Sequence, residues 1–87
     1  MNEPETNVEP REFYIFFARY LYKLRFLKSK KQWKLVKAWD GSYNHPVSVS
    51  SWVGDLHDFL ANFEGSNIRI FLREPSGIEF LDMVRHA

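Results

Sequence analysis

The sequence predicts a small α+β domain with elements in the rough order α-β-β-α-β-β, two helices packing on an antiparallel sheet. Three observations carry that expectation. Residues 11–28 run without Gly, Pro, Asn, Asp or Ser. Residues 52–63 repeat their apolar side chains at helical spacing, and residues 68–73 alternate at strand spacing.

Taken in order, residues 1–10 hold three glutamates, two prolines and two asparagines, which reads as a flexible acidic tail ahead of a single domain at 11–87. The unpunctuated stretch 11–28 is long for a strand and has Ile15 as its only β-branched residue, so a helix is expected. A competing signal is present, because Tyr20, Tyr22, Leu24 and Phe26 alternate with basic residues as in a strand. Ser29-Lys30-Lys31-Gln32 reads as a solvated connection.

Trp33–Trp39 and Val47–Val49 read as two short strands around the turn-rich segment Asp40-Gly41-Ser42-Tyr43-Asn44-His45-Pro46. The alternative for 33–39 is a short helix, since Trp33, Val36 and Trp39 recur every three residues. In 52–63, Trp52, Val53, Leu56, Phe59, Leu60 and Phe63 define one face of a helix, with Ser50 or Ser51 as its cap and Gly65 as its stop. Ile68, Ile70 and Leu72 then mark a strand, and Glu74-Pro75-Ser76-Gly77 a turn. Beyond it, Ile78 and Phe80 continue the alternation and favour a hairpin. Ser76 and Glu79 also have the spacing of a capping box, which would start a terminal helix instead.

Charge is distributed more unevenly than the net value of +1 suggests. Between Phe13 and Trp39 lie Arg19, Lys23, Arg25, Lys28, Lys30, Lys31, Lys34 and Lys37 with no acid among them, and nine of the chain's aromatic residues. The segments on either side are net acidic, so the molecule carries an oriented field. Arg25, Lys28, Lys30, Lys31, Lys34 and Lys37 are the candidate phosphate ligands, and Trp33 or Trp39 the candidate stacking rings, of a nucleic-acid-binding module. On a regular strand the two tryptophans would share a face with Lys31, Leu35 and Lys37. The bland alternative places both tryptophans in the core with a rim of solvated lysines. The low net charge also argues against nucleic acid, because DNA-binding domains are commonly more basic.

The same residues suit a second partner class, an acidic protein bound by an adaptor or inhibitor, or a second copy of the chain in a homodimer. Attachment to anionic lipid is weaker, since 11–28 offers no clean apolar face opposite a basic one.

Other classes find little support. With no cysteine the chain has no disulfide, thiolate zinc site or Cys nucleophile. Asp55 and Asp58 could hold a metal only with a third ligand from elsewhere, and read instead as a helix's solvated face. His45, His57 and His86 have no metal-pair spacing, and no Ser-His-Asp order, HExxH, Walker loop or GxGxxG is present. No enzyme, metal or cofactor is expected. The polar, acidic start and the absence of an apolar run near 20 residues lead us to expect a soluble, cytoplasmic protein.

Overall fold

In the computed structural model, which describes residues 11–87, the chain is mixed α+β, with one antiparallel sheet and two helices. The expected tail at 1–10 lies outside the described residues. The elements are β1 (Glu12–Phe17), β2 (Tyr20–Leu27), β3 (Gln32–Asp40), β4 (Pro46–Val47), β5 (Val53–Gly54), α1 (Leu56–Ala61), β6 (Ile68–Phe71) and α2 (Gly77–Arg85). Strands run in the spatial order β4-β3-β2-β1-β6, and β5 pairs with a separate stretch of β3. One helix covers each side.

The order therefore differs from expectation at both ends. Residues 11–28 are the hairpin β1–β2, not a helix. Phe13, Ile15, Leu24, Leu35 and Phe59 form a core under α1, while Tyr14, Phe16, Leu21, Trp39, Phe80 and Met83 form a second core under α2. A strand buried on both sides loses its polar–apolar alternation, and the apolar run Phe13–Phe17 is the result. The turn is hidden for a different reason. Phe17 pairs with Tyr20, leaving Ala18 and Arg19 as a two-residue loop with φ of 59° at Ala18. That positive φ belongs to a tight hairpin turn, where glycine is the usual residue. Here the loop is secured from outside. Arg19 donates from Nε to Asp40 at 2.5 Å and accepts from the Gly41 N–H at 2.8 Å. Gly41 sits at φ +82°, a left-handed conformation that strains any L side chain, and a Cβ there would also push the Arg19 guanidinium aside.

Ala18→Gly is expected to stabilise the fold by about 0.5–1 kcal/mol. It relieves roughly 1–2 kcal/mol of left-handed strain and costs about 0.5–1 kcal/mol in chain entropy. Urea denaturation checks this, and a lower midpoint would contradict the turn geometry.

The middle elements match expectation more closely. Residues 33–39 lie in strand β3, not in a short helix. The expected strand at 47–49 is two residues long and shifted to Pro46–Val47. The helix expected over 52–63 is confined to Leu56–Ala61, with Asp55 at its N-cap position in place of either serine. Trp52 and Val53 are extended, since Val53 and Gly54 pair with β3 and the Leu35 N–H donates to the Trp52 carbonyl at 3.2 Å. Their side chains alternate while Leu56, Phe59, Leu60 and Phe63 repeat helically, so one apolar series spans two kinds of backbone.

At the C-terminus the helix replaces the favoured hairpin. The Glu79 N–H donates to Ser76 Oγ at 3.0 Å, and the Ser76 N–H donates to Glu79 Oε1 at 2.9 Å. This capping box satisfies two of the first-turn donors. Phe80 and Met83 then enter the core, and Ile78, the residue that supported a strand, is left 81% exposed. Between β6 and α2 the chain crosses back over the sheet, where Tyr14 donates to Glu74 at 3.3 Å and Tyr43 to the Pro75 carbonyl at 2.5 Å. Among the described residues no helix is long and apolar enough to cross a membrane.

Candidate binding face on the sheet

Helix α2 covers only part of its side of the sheet. Phe80 packs edge-on against Phe16 and Tyr43, at 6.1 and 5.1 Å between ring centres, near the β1–β2 turn and the end of β3. Further along the same side, cross-strand register brings Lys23 opposite Lys37 and Arg25 opposite Lys34. Glu12, opposite Arg25 on the other flank, is the carboxylate that two of these four cations, Lys23 and Arg25, meet. It lies 2.9 Å from Arg25 Nη2 and 3.7 Å from Lys23 Nζ.

A β-bulge makes this grouping possible. Lys23 faces Lys37 but Leu24 faces Leu35, so Val36 is the extra residue on β3. The bulge reverses the alternation along the strand. Trp33 and Leu35 consequently turn toward α1, and Lys37 and Trp39 toward α2. Lys34, which strict alternation separates from Lys37, joins it beside Lys23 and Arg25.

The two tryptophans therefore occupy opposite sides of the sheet, contrary to the regular-strand expectation. Trp39 is 5% exposed and packs edge-on against Tyr43 at 4.8 Å, so its faces are not free to stack on a base. Lys37 Nζ lies 5.4 Å from its ring centre and Lys23 Nζ lies 5.9 Å from that of Tyr14. Both core rings thus support cations from beneath. Trp33 is half-buried between Phe13 and Phe26, at 4.9 and 5.3 Å, away from the basic face.

The remaining candidates sit at the β2–β3 hairpin tip. Lys28, Lys30 and Lys31 are exposed there, with Lys31 at φ 54° and the Lys30 N–H donating to the Leu27 carbonyl at 3.1 Å. The sheet thus gathers Lys23, Arg25, Lys34 and Lys37 on one face and sets three lysines at its end. Lys23 was the member of this face that sequence reading did not select; its position opposite Lys37 depends on the bulge. At the edge of the face, Arg11, Arg25 and Arg73 line a cleft of about 620 Å³ with Glu12, Tyr14 and Glu74.

The Tyr14 phenol is pushed up to about 12, first by burial and then by the Glu74 and Glu12 carboxylates, with Arg25 opposing. Burial, then Glu74, also raises Tyr43, and burial, then Tyr20, raises Tyr22. A raised phenol in the folded state means the unfolded chain ionises first, near pH 10. The associated stability is present below that pH and is lost as pH rises toward 12 and above. Tyr14→Phe is expected to reduce the alkaline loss with little effect at neutral pH, because the bond it removes is 3.3 Å long. Denaturation midpoints measured from pH 7 to 11 check this, and an unchanged alkaline slope would contradict it.

Asp55, His57 and Asp58 are all exposed around α1. No family model matches the chain, nor does any curated protein or solved structure.

Proposed function

We propose that this chain is a small non-enzymatic binding module that holds the phosphate backbone of a nucleic acid against the open half of its sheet. Lys23, Arg25, Lys34 and Lys37 contact phosphates on the face, and Lys28, Lys30 and Lys31 extend the track beyond the hairpin tip. The observation that carries this reading is the pair of like-charge cross-strand contacts, Lys23 with Lys37 and Arg25 with Lys34. Like charges directly opposite one another destabilise a sheet, and Glu12 offsets them on one flank only. A phosphate backbone supplies the missing anions.

With Trp39 enclosed, recognition on this face is electrostatic rather than by stacking on the two tryptophans. Such binding is expected to be insensitive to sequence and steeply dependent on salt. The enclosed ring also favours a second reading, in which the same cations hold an acidic protein segment that has no base to stack.

Fluorescence polarisation with short single- and double-stranded DNA and RNA, titrated with salt, tests the proposal. Micromolar binding is expected with a log–log slope of about −3 from the four face contacts alone, steepening toward about −6 as the three tip lysines engage, at 0.7–0.9 each. Absence of binding even at low salt would remove nucleic acid and leave the acidic-protein reading to be tested by pull-down.

A further inference from the structure

Strand β6 is the outermost strand on its side of the sheet, and among the described residues its outer edge has no strand partner. An open edge presents main-chain donors and acceptors to any second strand. Of the large exposed apolar side chains, Ile70 lies on it, at 50%, and Leu72 follows directly after it at a bend, at 68%. Edges are commonly guarded by charge, but Arg69 lies over the ring of its own Phe71, 5.5 Å from the ring centre. The chain bends at Leu72 and Arg73 and turns inward, toward Tyr14 and Tyr43, so that among the described residues it does not continue along the outer side.

We propose that this edge is a self-association surface, pairing with β6 of a second copy in an antiparallel, two-fold symmetric register centred on Ile70. The sequence of the edge is complementary to itself in that register. Ile70 meets Ile70 of the other copy, Ile68 meets Leu72, and Arg69 meets Phe71. Both exposed apolar residues become covered, and each arginine approaches an aromatic ring as it already does within one chain. A one-residue slip puts Ile70 opposite Arg69 and breaks the apolar match. The closed two-fold contact uses each free edge once, so it stops at a dimer.

The resulting sheet is continuous. Because a strand pair of this kind keeps side chains on the same side, the α2 sides of both copies face the same way. Two β2 strands then stand about 24 Å apart across five strand spacings. The proposal does not depend on what the basic face binds. A short edge buries less area than a standard interface, and dissociation in the range of tens of micromolar is expected.

The chain has no cysteine, which makes a direct test clean. Directly opposed residues in an antiparallel pair have Cα atoms about 4.5–5.5 Å apart, within disulfide range. Under diamide, which removes the two thiol hydrogens as the S–S bond forms, Ile70→Cys is expected to give a species of twice 10.4 kDa. Leu72→Cys should react much more slowly, because its symmetry mate lies four residues away along the strand. Equal rates would overturn the register. In sedimentation velocity, the full chain is expected to dimerise and Ile70→Lys to weaken the dimer roughly tenfold or more, while Ile78→Lys on α2 leaves it intact. A wild type still wholly monomeric at roughly 500 µM, about ten times the expected dissociation constant, would overturn the proposal, as would an equal effect of Ile78→Lys. If Ile70→Lys does not fold, the cysteine comparison decides alone.

Discussion

Combining Lys34→Glu with Lys37→Glu is expected to weaken phosphate-backbone binding sharply while leaving the domain as stable as before or more so. Each substitution converts a like-charge cross-strand pair into an opposite one, Arg25 with position 34 and Lys23 with position 37. An opposite-charge pair contributes about 0.2–1 kcal/mol, and the repulsion it replaces has a similar size. The gain is partly offset by losing Lys37 from above Trp39, a contact of about 0.5–1 kcal/mol. Both side chains are exposed, so no core is disturbed. Binding moves in the other direction. Two phosphate contacts disappear, lowering the salt slope by about 1.4–1.8, and the two carboxylates repel the ligand. Thermal denaturation and polarisation titration of the same sample check the two halves together. Unaltered binding would refute the face, whereas a marked loss of stability would refute the bulged register that builds it.

Phe80→Ala has the largest effect expected on folding. Phe80 is fully buried and touches Phe16 and Tyr43, so it fixes α2 to the sheet. Removing a buried phenylalanine typically costs about 3–5 kcal/mol, against a total stability of roughly 5–15 kcal/mol for a whole domain. An 87-residue chain has a small core, and its melting temperature is expected to fall by roughly 15–30 °C. Ile78→Ala two residues earlier, at 81% exposure, should stay within about 0.5 kcal/mol of wild type. Circular dichroism melts check the contrast. Similar losses in both would mean that α2 does not dock through Phe80.

The contrast between these two residues also shows how the sequence can mislead. Ile78 and Phe80 have strand spacing, yet Ser76 and Glu79 form a capping box and the core accepts Phe80 alone. Local alternation carried less weight than a cap with both its hydrogen bonds made. The β1–β2 hairpin was concealed by two separate features. Helices on both sides made Phe13–Phe17 uniformly apolar, and Ala18 occupies a turn position that glycine would have announced. The strand at 68–71 and the helix at 56–61 were legible, because each keeps its own period over at least four residues, whereas 33–39 also allowed a helix because the extra residue at Val36 breaks its alternation.

The candidate face was legible in part. Clustering of Lys28, Lys30 and Lys31 at a solvated connection follows from the sequence itself. The alignment of Lys34 with Lys37, and the separation of Trp33 from Trp39, arise from the extra residue at Val36. A bulge is a property of two paired strands, and no pattern within β3 alone announces it.

The most direct test of the binding face is a map of backbone amide shifts on adding single-stranded DNA to the labelled full chain. The expected changes concentrate at Lys23, Arg25, Lys34 and Lys37 and at the tip residues 28–31, with α1 unaffected. Changes centred on α1 or on Trp33, with the four cations silent, would contradict the account.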